Sequence, residues 1–244
     1  MKTVIVTGAS KGIGKSIATN LDQSGFKVIL VARTTNQLNE LAGNLTNSPE
    51  VFTCDLSNTT SIEGIIPLLE KHKSNLCGLI NNAGIFIKNS FENTTVDEWD
   101  KQYKTNLLAP ALLSKIVTPY LKESTQSHKF IINISSTAAL RPVPDTSAYG
   151  SLKAALDHLT KVMALELAPY KICVNAISPG IVDTPIHSFE NLSKDDLNFA
   201  KSLHPLNEIG KPNDIASMAS FLANSSNTWV TGSNFTIDGG LSLK

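Results

Sequence analysis

Seven short, β-branched apolar runs punctuate the chain: "KTVIVTG" (2–8), "KVILVAR" (27–33), "EVFTCDL" (50–56), "GLINNAG" (78–84), "KFIINISS" (129–136), "KICVNAISP" (171–179) and "NFTIDGG" (234–240). They are continuous rather than alternating, the pattern of strands covered on both faces. Between them, apolar residues recur at helical spacing near 13–24, 35–45, 58–72, 95–121, 148–168 and 212–224. Repeated strand–helix–strand units predict right-handed crossovers and a doubly wound α/β fold, a seven-stranded parallel sheet with helices on both faces. No linker-like stretch or internal repeat divides residues 1–244, so a single domain is expected. Residues 180–211 break the rhythm, with weak helical periodicity after the sixth strand, and read as a substrate loop.

Composition narrows the function. Twenty-one basic residues balance twenty-one acidic ones, which gives no footprint for nucleic acid or an anionic membrane. Cys54, Cys77 and Cys173 lie far apart and the five histidines lack ligand spacing, so neither a disulfide framework nor a metal site is expected. The N-terminal apolar run is too short for a signal peptide and no 18-residue apolar span follows, so a cytoplasmic protein is expected. Asn133 and Asn234 stand in Asn-x-Ser/Thr triplets but fall in predicted strands, unsuited to glycan attachment.

"TGASKGIG" (7–14) joins the first strand to the first helix. Gly8 permits a tight turn, Gly12 allows close backbone approach, and Gly14 lets the helix pack near the strand. The helix N-terminus then offers free amides and partial positive charge to a pyrophosphate. Between a first strand and a first helix this pattern points to a dinucleotide. An NAD site places an acid about 20 residues further on. Here the second strand closes on Ala32, Arg33 and Thr34, and the first acid after it is Glu40. Arg33, with Lys11 in the glycine turn, would bind a 2′-phosphate by charge-assisted hydrogen bonds, which favours NADP(H) over NAD(H).

Tyr149 and Lys153 stand four residues apart at the start of a predicted helix. At about 100° per residue they share one face, roughly 40° apart. The helix's apolar stripe reads Leu152, Leu156, Leu159 and Met163, with the pair at its margin.

With "CDLSN" (54–58), "NNAG" (81–84), "KTNLLAP" (104–110), "INISS" (132–136), "YGSLK" (149–153), "NAISPGIVDT" (175–184) and a closing "IDGG", the chain resembles the short-chain dehydrogenase/reductase family along nearly its whole length. The resemblance implies a Rossmann-type fold and a catalytic tetrad of Asn106, Ser136, Tyr149 and Lys153. Ser136 rather than Ser135 is the match, thirteen residues before Tyr149. It implies cofactor contacts from Gly8, Ser10, Lys11, Gly12, Ile13, Gly14, Arg33, Asp55, Leu56, Asn82, Ala83, Gly84, Tyr149, Lys153, Pro179, Gly180, Val182 and Thr184. Tyr149 would donate a proton in carbonyl reduction, its pKa lowered by Lys153 and by an oxidised nicotinamide. Ser136 would bind the substrate oxygen, and Asn106 would position a water linking Lys153 to solvent.

Length and the "IDGG" terminus are similar to bacterial 3-oxoacyl-[acyl-carrier-protein] reductases of fatty acid biosynthesis, which implies a 3-oxoacyl thioester on acyl carrier protein or CoA. "IFIKNS" after "NNAG" departs from their Thr-Arg-Asp-like stretch and keeps open a reductase of another small ketone, aldehyde or sugar. A non-catalytic NADP(H) sensor is the third reading, opposed by the intact tetrad. Phe86, Phe189 and Leu192 hint at a partly apolar pocket, and Lys129 and Lys171 are candidate contacts for an acidic carrier. The resemblance also implies a homotetramer or homodimer.

Overall fold

The first strand shows how the sheet is covered. In β1 (Thr3–Thr7) all five residues are buried. Val4 and Val6 join one apolar cluster with Ile17, Leu21, Leu38 and Ile215, while Ile5 joins another with Leu69, Leu113, Val117 and Leu167. Successive side chains thus feed opposite cores, the arrangement that removes polar alternation from a strand.

The computed structural model describes residues 1–186, 193–224 and 226–244. After β1 come α1 (Gly12–Gln23), β2 (Lys27–Ala32), α2 (Thr35–Asn44), β3 (Glu50–Thr53), α3 (Ile66–His72) and β4 (Leu76–Asn81). The second half runs α4 (Val96–Tyr103), α5 (Ala109–Glu123), β5 (Lys129–Ile134), α6 (Ser147–Leu167), β6 (Ile172–Pro179), α7 (Lys194–Ser202), α8 (Pro212–Ala223) and β7 (Asn234–Ile237). The seven strands form one parallel sheet in the order β3-β2-β1-β4-β5-β6-β7. The first cluster lies under α1, α2 and α8 and the second under α3, α5 and α6. Strand order reverses between β1 and β4, and a crevice at their carboxyl ends is where such folds take ligands.

Several elements differ from the sequence pattern. The stretch expected as one helix over 58–72 is a 3-10 turn (Thr59–Ile65) followed by α3. Pro67, without an amide hydrogen, sits in the first turn of α3, where no intrahelical donor is needed. The helix expected over 95–121 starts at a capping box, with Thr95 Oγ accepting from Glu98 N at 3.2 Å and Glu98 Oε2 accepting from Thr95 N at 2.8 Å. It then widens into a π-helical turn over Lys104–Leu108 before α5. The expected loop over 180–211 contains α7, capped by Ser193. Phe189 and Leu192 lie outside the described residues.

Candidate active site

The glycine turn is tight and closely packed against the neighbouring strand end. Gly8 has φ +64°, and a Cβ there would lie 2.8 Å from Asn82 Nδ2 and 2.9 Å from Ala83 Cα. A Cβ on Gly14 would collide with the Gly8 carbonyl oxygen and Asn82 Nδ2. Thr7 and Asn82 hold the two strand ends at this distance. Thr7 Oγ1 accepts from the backbone amides of Asn82 (2.9 Å) and Ala83 (3.0 Å), and Asn82 Nδ2 donates to the Thr7 carbonyl (2.8 Å). Lys11 occupies the N-cap of α1 and makes no side-chain cap, so among the described residues the first-turn amides of α1, including those of Gly12, Ile13 and Gly14, have no side-chain capping oxygen. This cradle of bare backbone at a helix N-terminus fits a dinucleotide pyrophosphate.

The segment after β6 closes over the same crevice. A Cβ on Gly12 would lie 3.2 Å from Thr184 Cγ2. Val182 and Thr184 are buried, and Asp183 N donates to Gly210 O at 2.8 Å while Gly210 N returns a bond to Ile181 O at 3.0 Å. Pro179 ends β6, and Gly180 N donates to Ile237 O at 3.0 Å. Arg33 follows β2, the neighbour of β1, and both Arg33 and Lys11 are exposed, with no ion-pair partner among the described residues. Asp55 folds an Asx turn onto Ser57, and Leu56 is buried in the second core, so its side chain serves packing. Ser10 is half-buried beside Lys11.

The four tetrad positions come from separate elements and converge. Ser136 lies just beyond β5 and caps a 3-10 turn by accepting from Ala138 N at 3.1 Å, close enough to Tyr149 to favour its phenolate. Tyr149 and Lys153 lie in the first two turns of α6, and Lys153 Nζ is 5.8 Å from the Tyr149 ring centroid. Lys153 Nζ donates to the Ile134 carbonyl at 2.8 Å. A Cβ on Gly84 would sit 3.2 Å from Asn106 Oδ1 and 3.7 Å from Lys153 Nζ, so bare glycine backbone separates the two. Asn106 is fully buried in the π-helical turn. Its Oδ1 accepts from Ile85 N and its Nδ2 donates to Ile85 O, each at 2.9 Å. The side chain expected to hold a water thus pins the chain just past "NNAG".

The electrostatics differ from the simple expectation for the Tyr–Lys pair. Burial pushes the Tyr149 phenol above its ordinary value, opposed by the Ser136 side chain. Burial pushes Lys153 down to about 8, with the Asp157 carboxylate pulling the other way. Asp157, one turn further along α6, is itself raised by burial against Ser135, Lys153, Lys161 and Asn234. In the protein alone, desolvation therefore outweighs the mutual attraction of these groups, and Tyr149 is held as the neutral acid.

Sequence reasoning missed three features. Lys153, Asp157 and Thr160 lie on the buried face of α6 with Leu152 and Leu156, whereas Leu159 and Met163 are only partly buried. The polar groups are accommodated by a row beneath the site. Asn81 Nδ2 donates to Ser114 Oγ (3.1 Å) and Asn133 Oδ1 (2.9 Å), Asn133 Nδ2 to Thr160 Oγ1 (2.8 Å), and Asn234 Nδ2 to Asp157 Oδ2 (2.7 Å). Asn133 and Asn234, set aside as glycan acceptors, are structural members of this row. The third feature is a contact of Phe86, named above only as a pocket candidate: its ring meets Tyr149 edge-on, centroids 4.9 Å apart and planes at 67°.

Comparison with known proteins agrees with this geometry. Residues 8–242 match the family model described as enoyl-(acyl carrier protein) reductase. The 3-oxoacyl-[acyl-carrier-protein] reductase FabG of Thermotoga maritima is 30% identical, over 98% of this chain and 97% of its own. The 3beta-hydroxysteroid dehydrogenase 1 of Eggerthella lenta is 30% identical, over 99% of this chain and 94% of its own. The solved structure of ElxO with NADP bound superposes with a TM-score of 0.91 at 29% identity, covering 100% of this chain and 99% of that one. Family match, nucleotide cradle and converging tetrad agree: the chain belongs to the short-chain dehydrogenase/reductase family and is a nicotinamide-dependent oxidoreductase.

Proposed function

We propose that the protein is an NADPH-dependent carbonyl reductase in which Tyr149 is the proton donor. The observation that carries this reading is the placement of Tyr149: it stands in the first turn of α6 with the Nζ of buried Lys153 5.8 Å from its ring centroid and Ser136 at the end of β5 beside it. Gly8, Ser10, Lys11, Gly12, Ile13 and Gly14 would hold the pyrophosphate side, with Arg33 and Lys11 on the 2′-phosphate. Asp55, Leu56, Asn82, Ala83 and Gly84 would flank the adenosine side. Pro179, Gly180, Val182 and Thr184 would flank the nicotinamide, and Lys153 its ribose. When bound, NADPH supplies a hydride, two electrons and one hydrogen, to the carbonyl carbon.

Ser136 Oγ–H then holds the carbonyl oxygen and stabilises the negative charge growing there. Tyr149 gives its phenolic proton to that oxygen, completing the alcohol and leaving a phenolate. The Lys153 ammonium lowers the cost of that phenolate, and its pKa of about 8 suits it to return a proton near neutrality. Asn106 holds Ile85, and through it the wall of the substrate crevice.

A 3-oxoacyl thioester is the substrate favoured by the motif resemblance and by the Thermotoga relative. A specific observation favours the second reading, a small uncharged ketone: the Phe86 ring lies against Tyr149. Lys129 and Lys171 lend the carrier-protein reading no support. Each stands at the start of a strand region, on the amino edge of the sheet, about 20 Å of strand away from the carboxyl ends. The outer face of α6, with Ala155, His158, Leu159 and Val162, forms an apolar groove with Tyr103, Leu107, Leu108 and Ala111, which supports a homo-oligomer built on this face.

The test is NADPH oxidation with acetoacetyl-CoA and a panel of small ketones, using Tyr149→Phe as the control. Turnover should fall by about a thousandfold in the variant while NADPH binding is retained. Undiminished turnover without the phenol would remove the basis of this reading.

A further inference from the structure

The segment just past "NNAG" is fastened along its length. Ile85 is held at both backbone atoms by Asn106. Ile87 N donates to Gln102 Oε1 at 3.2 Å, and Gln102 is fully buried. Asn89 N donates to Asp145 O at 3.0 Å, and residues 89 and 146 form an isolated parallel bridge. Asn89 Nδ2 reaches the Asn93 carbonyl (3.0 Å) and Glu98 Oε2 (3.3 Å). The strap is thereby tied to the π-helical turn, to α4 and to the loop that leads into α6. Phe86 sits between two anchored neighbours, and its half-buried ring rests on the half-buried ring of Tyr149. An aromatic ring fixed beside the proton donor is a preorganised surface, since little side-chain freedom remains to be lost on binding.

The surroundings carry little free charge. The loop joining Ser136 to Tyr149 exposes Leu140 and Val143, and Ile186 is similarly exposed after β6. The two cations on these segments are each engaged: Arg141 Nη1 donates to the Leu241 carbonyl at 3.1 Å, and Lys88 Nζ is 3.8 Å from Asp145 Oδ2. The strap itself thus offers an anionic substituent no cation without an acidic partner, and the Arg141 guanidinium is turned onto the Leu241 carbonyl.

We infer that Phe86 is a specificity-determining residue, and that the substrate is an uncharged ketone bearing a flat apolar substituent packed on its ring. The inference rests on the carbonyl-reductase reading and narrows it. An offset or edge-on contact with such a substituent, together with its buried area, discriminates against a methyl group by about tenfold or more. By fixing which substituent of the ketone lies beside it, the ring would also fix which carbonyl face is presented to the hydride donor, and so the handedness of the alcohol.

A matched pair of activated diketones tests this: 1-phenyl-1,2-propanedione and 2,3-butanedione, with acetoacetyl-CoA as the anionic comparator. The full-length protein should show a kcat/KM at least about tenfold higher for the phenyl diketone than for either other compound. In Phe86→Ala the phenyl-to-methyl ratio should fall toward one and the phenyl product should lose enantiomeric excess. Phe86→Tyr, which keeps the ring, should retain both, and Phe86→Leu should fall between. A ratio that survives Phe86→Ala, or a higher kcat/KM for acetoacetyl-CoA, would overturn the inference while leaving carbonyl reduction standing. Failure to reduce any of the three compounds would overturn both together.

Discussion

Two ionic clusters sit at opposite edges of the same sheet and resolve burial in opposite ways. At the amino edge, Glu50 opens β3 and is surrounded by Lys27 (2.9 Å), Lys71 (3.0 Å) and His72 (2.7 Å). Burial alone would raise its pKa, yet those three partners hold it down to about 2. At the carboxyl edge, Lys153 is almost fully buried, its ammonium bonded to a backbone carbonyl rather than a carboxylate, and burial brings it down to about 8. Tyr149 and Asp157 on the same helix are both pushed up by burial. The first cluster is saturated and rivets β2, β3 and α3 together. The second is left poised to exchange protons, and shifts of this kind mark a chemical site when they cluster in a crevice.

After loss of the Tyr149 phenol, removing the poised cation should give the largest effect. Lys153→Met should lower turnover by about a hundredfold or more while leaving the melting temperature unchanged or higher, because an incompletely compensated buried charge is removed. Steady-state kinetics and thermal unfolding on one preparation check both halves. At the nucleotide, Arg33→Asp should weaken NADPH about 10- to 100-fold and NADH far less, read by fluorescence titration of each.

The saturated cluster should behave in reverse. Glu50→Gln should cost about 1 kcal/mol at pH 7 with turnover unchanged. Because the folded pKa of Glu50 is depressed, its contribution is present above about 4.5 and is lost as pH falls toward about 2. Acid unfolding of the variant should therefore be shallower than that of the parent across that range. The smallest effect belongs to Asp157→Asn. Asp157 favours the charged form of Lys153, so its loss should move the alkaline limb of the pH–rate profile to lower pH by less than about one unit.

The saturated and poised ends were not equally legible in the sequence. The glycine turn and the seven strand runs are local patterns, the tetrad positions come from the family resemblance, and the doubly wound sheet follows from continuous apolar strands separated by helices. The buried face of α6 was misjudged because Leu159 and Met163 look like core, whereas Lys153, Asp157 and Thr160 look like surface. Only the side chains opposite them, Asn133 and Asn234, reveal why polar groups can lie inside. The π-helical turn at Asn106 has no signal in an apolar periodicity, and α7 buries none of its residues, so it leaves no apolar stripe to read. Phe86 could be named as apolar, but its contact with Tyr149 spans 63 residues of chain and depends on the strap's anchors.

The pH dependence of NADPH oxidation from pH 6 to 10, by the parent protein and Glu50→Gln with the ketone reduced fastest, tests the division between the two edges most directly. Activity should fall with an apparent pKa near 8 as Lys153 loses its proton, and the two profiles should superimpose. A parent profile flat through pH 10, or one displaced by Glu50→Gln, would contradict it.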